Sequence, residues 1–134
     1  MRKALFVSIA LLALAALVAV PVLTAPTVTK TLLYQDRYGN VYKVAVTMDS
    51  HYEHGGEVIT VGLPIMYAFV QDFGYATAES TTYHLNIDSA NFASGTFDLL
   101  AYKVMPDSSA LRECVKATDL SALTGIEIIV RTKR

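Results

Sequence analysis

The densest group of chemically active side chains lies in the nine residues from Asp49 to Glu57, which read Asp-Ser-His-Tyr-Glu-His-Gly-Gly-Glu. This stretch holds two imidazoles and three carboxylates, and these are donor types that bind zinc and other transition metals. His51 and His54, with Glu57 or Asp49, are therefore the candidate ligands of a metal site. Their spacing matches no established zinc motif, and the double glycine is typical of a turn, so the residues favour a solvated loop.

The only thiol of the chain, Cys114, is the candidate nucleophile. Arg112 and Lys116 flank it, and nearby cations lower the pKa of an exposed thiol. The sequence places no base beside it, because His84 lies thirty residues away in a predicted strand. We therefore expect a half-buried structural thiol, no internal disulfide, no catalytic residue and no cofactor. The chain also lacks a glycine-rich phosphate loop, so the sequence predicts a protein that is not an enzyme.

The first 26 residues differ in composition from the rest of the chain. An arginine and a lysine precede an apolar run, Ala4–Leu23. This run contains no charged residue and is interrupted only by Ser8 and Pro21. Up to Val20 this run would form a helix of about 25 Å, slightly shorter than the hydrocarbon core of a bilayer. The layout is typical of a secretory signal or an uncleaved membrane anchor, although the same helix could be buried between protein subunits. We predict an apolar arm, signal or anchor over residues 1–26 and a separate domain over residues 27–134.

The charge distribution excludes some partners. Residues 27–134 carry nine basic and twelve acidic side chains, a formal net charge of −3, so no nucleic-acid-binding surface is expected. Seven acidic residues and no basic one lie between Lys43 and Lys103, whereas the chain ends in Arg131-Thr132-Lys133-Arg134. This polarity could orient contacts between subunits.

Short runs of β-branched and aromatic residues, separated by Gly, Asp, Asn, Ser and Pro, predict an all-β domain from Thr27 onward. A tight hairpin is expected at Gly39-Asn40, with both residues at positive φ. The very apolar segment Ile65–Phe73 is expected to lie centrally between two layers. The predicted strands are Thr27–Tyr34, Val41–Met48, Val58–Val61, Ile65–Phe73, Thr81–Ile87, Thr96–Met105 and Ile126–Thr132.

The segment between the last two strands has a different pattern, which predicts a helical turn around Ala110–Lys116 with Ser108 or Ser109 as its cap. Six to eight strands in a domain of this size predict a jelly-roll-like β-sandwich preceded by the N-terminal apolar helix or arm.

Two stretches taken together resemble a known family. The loop Tyr52–Val58, which follows a strand ending in Val46–Ser50, is similar to the "D-x-S-Y-x-x-G-G-E" run of small jelly-roll head proteins of tailed bacteriophages. The segment Ala117–Thr124, which precedes the last strand, is similar to their closing "G-T-D-L-S" segment. Some of these proteins are capsid decoration or cement proteins.

The resemblance implies a non-enzymatic protein on the capsid surface, often a trimer, that reinforces contacts between major capsid subunits. Its partners would be the major capsid protein and further copies of itself, and the apolar arm would be buried in a neighbour. The residues that the two motifs offer as interface candidates are Tyr52, Gly55, Gly56, Glu57, Asp119 and Leu120. The alternative is a membrane-anchored or secreted extracytoplasmic β-sandwich that serves in binding or adhesion, with Ala4–Leu23 in the membrane.

Overall fold

The computed structural model of the protein describes residues 25–75, 83–105 and 110–134. Within these ranges the chain forms eight strands and one short 3-10 helix, Phe92–Ser94, and no α-helix. The strands are β1 (Thr27–Asp36), β2 (Gly39–Thr47), β3 (Glu57–Thr60), β4 (Ile65–Tyr75), β5 (Tyr83–Asp88), β6 (Thr96–Val104), β7 (Leu111–Glu113) and β8 (Leu123–Lys133). The predicted arm falls outside the described residues except for its last two. Among the helices in the described ranges, none has the length and apolarity to cross a bilayer.

All strand pairs are antiparallel, and they form two sheets. The first sheet has the order β1-β2-β8-β4. In the second sheet β6 is central, with β5 on one side. On its other side β6 pairs with β3 through Thr96–Leu99 and with β7 through Tyr102–Val104.

The core lies between the two sheets and is built by the period-two alternation of their side chains. In the first sheet the buried side chains of β2 face those of β8, with Val44 opposite Ile128 and Val46 opposite Ile126. In the second sheet every other residue of β6 is buried, and Phe97 is fully enclosed. Because these residues form one continuous apolar cluster, the two sheets pack face to face, and the predicted β-sandwich is confirmed at this level.

The position of β4 differs from the prediction. Among the described strands β4 pairs only with β8, so it is an edge strand of the first sheet. Its inward residues, Ala68 and Val70, pack against the core, but the larger Tyr67 and Phe69 are exposed on the other face. The sequence predicts that both apolar faces of this strand are buried. In the structure one of these faces is exposed to solvent.

Two local predictions are wrong. The β1–β2 hairpin turns at Arg37-Tyr38, because the Asp36 carboxylate accepts hydrogen bonds from the backbone N–H groups of Tyr38 and Gly39 at 2.8 and 3.1 Å. Gly39 has a positive φ, but Asn40 does not.

The segment Ala110–Lys116 contains strand β7 in place of the expected helical turn. It pairs with the end of β6, so backbone groups that would have closed a helical turn are used in the sheet. The two serines expected as caps lie outside the described residues.

Candidate functional site

The two loop motifs meet in the folded chain. The Tyr52 backbone N–H donates to the Thr118 carbonyl at 3.0 Å, and the Ala117 N–H donates to the Tyr52 carbonyl at 2.8 Å. A third bond joins the Leu120 N–H to the Asp49 carbonyl at 3.1 Å. Segments about 65 residues apart in sequence are therefore held together by backbone hydrogen bonds, which fix both loops at one end of the sandwich.

The Tyr52 side chain is the centre of this junction. Its ring is fully enclosed, and its hydroxyl donates to Glu113 Oε1 at 2.9 Å while accepting from the Ala101 N–H at 3.2 Å. Burial, together with the hydrogen bond to the Glu113 carboxylate, raises the pKa of the Tyr52 hydroxyl well above its usual value. The chain itself therefore supplies a hydrogen-bond acceptor and a donor for this protonated phenol, which stabilises the loop junction.

The double glycine brings the loop onto β6 and β7. The Gly55 N–H donates to Glu113 Oε1 at 2.6 Å, and Gly55 and Gly56 have φ values of +99° and +104°. A Cβ on Gly56 would lie 2.9 Å from the Asp98 Cβ, so a side chain has no room there. Glycine is therefore required at Gly56 by both its backbone angle and its close packing.

The candidate metal ligands do not converge. His51 Nε2 lies 3.9 Å from Glu53 Oε1, whereas His54 Nδ1 lies 3.6 Å from Glu113 Oε1 and 3.3 Å from the Cys114 carbonyl oxygen. Glu57 Oε1 accepts a hydrogen bond from the Glu53 N–H at 2.8 Å. Within residues 25–75, 83–105 and 110–134, no three His, Cys, Asp or Glu side chains are arranged to hold a metal ion.

The structure also locates the six interface candidates. Tyr52, Gly56, Glu57 and Leu120 are buried within the chain itself, so in this fold their side chains are not available to a partner. Gly55 and Asp119 are exposed. The buried members hold the two loops together, so these motif residues stabilise the fold. A contact surface for a partner must be formed by other residues.

Cys114 matches its predicted structural role. The thiol residue is buried, its N–H donates to the Ala101 carbonyl at 2.8 Å, and burial raises the thiol pKa. A protonated, buried thiol is a poor nucleophile.

Several aromatic side chains are exposed together on the outer face of the first sheet. Cross-strand pairing puts Tyr67 beside Arg131 and Phe69 beside Ile129, and the Tyr67 and Phe69 rings stack with their centroids 6.3 Å apart. Tyr34 lies on β1, at the opposite edge of this sheet. It pairs with Val41, which in turn pairs with Arg131, so Tyr34 is in the same cross-strand row as Tyr67. We call Tyr34, Tyr67, Phe69, Ile129 and Arg131 the aromatic face; its three rings are 52%, 42% and 50% exposed in that order.

Two ion pairs place charged groups on the same side of the sheet as the aromatic face. The Arg131 guanidinium donates to the Asp36 carboxylate, and this bond is the main reason that the pKa of Asp36 is lowered. The pKa of Arg131 is raised by Asp36 and, to a smaller extent, by Tyr67. Lys43 Nζ contacts Glu127 Oε1 at 3.0 Å on the same side of the sheet. Exposed rings around a paired arginine are typical of the centre of a protein–protein interface.

This surface does not follow from the sequence, because the apolar character of Ile65–Phe73 predicts a strand that lies centrally between two layers. The sequence does contain one signal of two different faces: side-chain size alternates along the strand, with large rings at Tyr67 and Phe69 and smaller residues at Ala68 and Val70. Only the pairing of β4 with β8 shows which set faces the core. Comparison of the chain with family models, curated proteins and solved structures finds no match.

Proposed function

We propose that this protein is a non-enzymatic structural protein of the capsid-decoration type, which binds the assembled head of a tailed bacteriophage through its aromatic face. The observation that carries the proposal is the exposure of Tyr34, Tyr67 and Phe69 together on one rigid sheet. Each ring buries a large apolar area when a partner covers it, and fixed rings lose little conformational entropy on binding.

The sandwich is proposed to be a jelly roll. The chain crosses between the sheets from β2 to β3, from β3 to β4, from β4 to β5 and from β7 to β8. Repeated crossing of this kind winds the strands around one core, as the two Greek keys of a jelly roll do. The strand order therefore supports the fold that the sequence resemblance implies.

A protein with this surface can stabilise a shell without chemistry. A ligand that binds only the assembled state lowers the free energy of that state by an amount set by its concentration and affinity. The aromatic face is suited to such binding because its rings sit on paired strands, so the surface exists before the partner arrives. Self-association, trimeric in the family that the sequence resembles, would place several copies of the face around one lattice position.

The edges of the sandwich suggest how the apolar arm of a neighbouring copy would be received. Among the described strands, β4 and β5 each have one unpaired edge, and a groove of about 220 Å³ separates them. Its walls include Ala68, Val70, Leu85 and Ile87. In this proposal the apolar arm of a neighbouring copy buries its side chains in this groove.

Co-sedimentation tests the proposal. The full chain is mixed with assembled capsid shells and, separately, with unassembled major capsid protein, and it is expected to pellet only with the shells. The double variant Tyr67→Ser/Phe69→Ser should weaken shell binding by at least about tenfold, since central aromatic residues dominate interface energies.

The matched control is Val58→Ser/Leu111→Ser, which removes two exposed apolar side chains from the second sheet. This control should bind shells as the unaltered chain does. Equal loss in both double variants, or binding of the unaltered chain to free subunits as tightly as to shells, would contradict the proposal.

A second candidate function rests on the apolar run Ala4–Leu23. In this alternative the sandwich is an extracytoplasmic binding or adhesion module, held at a membrane by that segment or secreted after its removal. Mass spectrometry of the native protein and its partition into detergent separate the candidates. A retained segment with detergent-dependent solubility favours the anchor, whereas a retained segment in a detergent-free particle favours the capsid.

A further inference from the structure

A cavity of about 260 Å³ opens on the second sheet, away from the aromatic face. It lies where β6 pairs with β7, and its wall is mainly apolar: Tyr83, Met105, Cys114 and Val115. Val115 is one of the most exposed large apolar residues of the described chain, so the opening continues into an apolar surface. A concave apolar wall of this size accommodates a small ligand.

Two cationic side chains line this opening. Lys103 on β6 and Arg112 on β7 are direct cross-strand partners, both line the cavity, and both are exposed. Like charges placed opposite each other across an antiparallel pair destabilise the sheet. Within the described ranges neither side chain has a carboxylate at ion-pair distance, and the Lys103 ammonium lies 5.4 Å from the centre of the Tyr83 ring.

One carboxylate that lines the same cavity already accepts hydrogen bonds within the chain. Glu113 also lines the cavity, but its Oε1 atom accepts hydrogen bonds from the Tyr52 hydroxyl and the Gly55 N–H. These bonds hold the carboxylate in the loop junction. The opening therefore has two cations and one carboxylate that is already hydrogen-bonded within the chain, beside an apolar wall. The two cations are complementary to a ligand with one anionic end and one apolar end.

We propose that this cavity binds a small amphipathic carboxylate, with its apolar part against Met105, Cys114 and Val115 and its carboxylate between Lys103 and Arg112. The guanidinium of Arg112 can bind both carboxylate oxygens, and Lys103 supplies a second charge. The carboxylate also removes the repulsion between the two cations. This site is independent of shell binding, because the aromatic face lies on the other sheet.

The test uses the full chain and two probes of equal tail length, octanoate and octan-1-ol. Cys114 lines the cavity and is the only cysteine of the chain. Its burial makes its reaction with a thiol reagent slow, and a ligand in the cavity should slow that reaction further. Octanoate is expected to slow the modification in a saturable manner and to bind about fivefold more tightly than octan-1-ol at pH 7. Isothermal calorimetry gives both affinities without the reagent.

The variant Arg112→Gln should remove most of the preference for octanoate and leave octan-1-ol binding unchanged. Arg37→Gln, which alters an exposed arginine in the β1–β2 turn, is the matched control and should retain the preference. Both positions are exposed, so each variant should stay folded in urea up to at least the midpoint of the unaltered chain. Arg112→Gln removes the repulsion from Lys103 and should unfold at an equal or slightly higher urea concentration. Absence of octanoate binding in calorimetry, or equal binding of the two probes to the unaltered chain, would overturn the proposal.

Discussion

The Tyr52 hydroxyl lies 2.9 Å from Glu113 Oε1, and this contact joins the Tyr52 loop to the end of strand β7, 61 residues away in the sequence. The same carboxylate oxygen accepts the Gly55 N–H, and the same hydroxyl accepts the Ala101 N–H. One buried phenol therefore links the glycine loop, strand β6 and strand β7. This network explains why the most reactive-looking stretch of the sequence forms a structural junction.

Tyr52→Phe should destabilise the protein by about 1–3 kcal/mol, because it leaves the buried Ala101 N–H without an acceptor. The ring still fills its place in the core, so the cost comes from the hydroxyl alone. Urea unfolding followed by far-UV circular dichroism measures the change. Tyr38→Phe, at an exposed turn position, is the control and should shift the midpoint very little. An unchanged midpoint in Tyr52→Phe would contradict the role given to the hydroxyl.

The parts of the fold that could be predicted from sequence are those governed by local periodicity. The alternation of Val44, Val46 and Met48 with Lys43 and Ala45 specifies a half-buried strand, and the structure contains it. The pairing of β5 with β6 follows in the same way from two alternating runs and a short connection.

The parts that could not be predicted depend on which strands are neighbours. The sequence of β4 is compatible with a central or an edge strand, and only its pairing with β8 decides that Phe69 faces solvent. The candidate site has the same dependence: His51 and His54 are close in sequence, yet the fold directs them to Glu53 and Glu113 respectively. Spacing alone does not contain that information.

The two glycines of the loop allow backbone strain to be separated from steric overlap. Both have φ near +100°, but a Cβ on Gly56 meets the Asp98 Cβ at 2.9 Å, whereas one on Gly55 meets no atom within 4 Å. Gly55→Ala should cost about 1 kcal/mol, from strain alone, and Gly56→Ala about 2–3 kcal/mol. Thermal unfolding of both variants tests the order, and an equal loss would show that overlap at Gly56 is relieved by small shifts.

Replacing Glu57 should stabilise the protein at neutral pH. Burial raises the pKa of this carboxyl, and the charges of Asp49 and Glu53 raise it further, against the opposing effect of the Glu53 N–H. The folded chain therefore binds a proton at Glu57 more readily than the unfolded chain does. As pH rises from the unfolded-state pKa to the folded-state pKa, the free energy of unfolding falls, and it stays lower at higher pH. Glu57→Gln retains an acceptor for the Glu53 N–H and removes the buried charge.

The measurement is the free energy of unfolding of Glu57→Gln and the unaltered chain from pH 4 to pH 8. The gain should be largest near pH 7 and should shrink toward pH 4, where the carboxyl becomes mostly protonated in the unfolded chain as well as in the folded one. Glu127→Gln, at a half-buried ion pair, is a suitable control for the loss of one negative charge. A destabilisation at pH 7 would mean that the hydrogen bond requires the charged acceptor.

Asp36 should make the opposite contribution. The Arg131 guanidinium and the Tyr38 N–H lower the pKa of this carboxyl, so its stabilising effect is present above the unfolded-state pKa and is lost as pH falls through the lower, folded-state value. Asp36→Asn preserves an acceptor for the turn but removes the ion pair. The variant should be less stable than the unaltered chain at pH 7, and the difference should vanish by about pH 2. A difference that persists there would assign the effect to the turn.

A chain that begins at Thr27 should fold into the same sandwich. Every member of the continuous core cluster lies between Val44 and Val130, and strand β1 already pairs with β2 along its length, so the described interior is closed without residues 1–26. The shortened chain is expected to show the β-sheet circular dichroism spectrum of the full chain and a free energy of unfolding in urea that agrees with it to within about 1 kcal/mol. Loss of the cooperative transition would show that the apolar segment completes the core, and the domain boundary would then have to move toward the N-terminus.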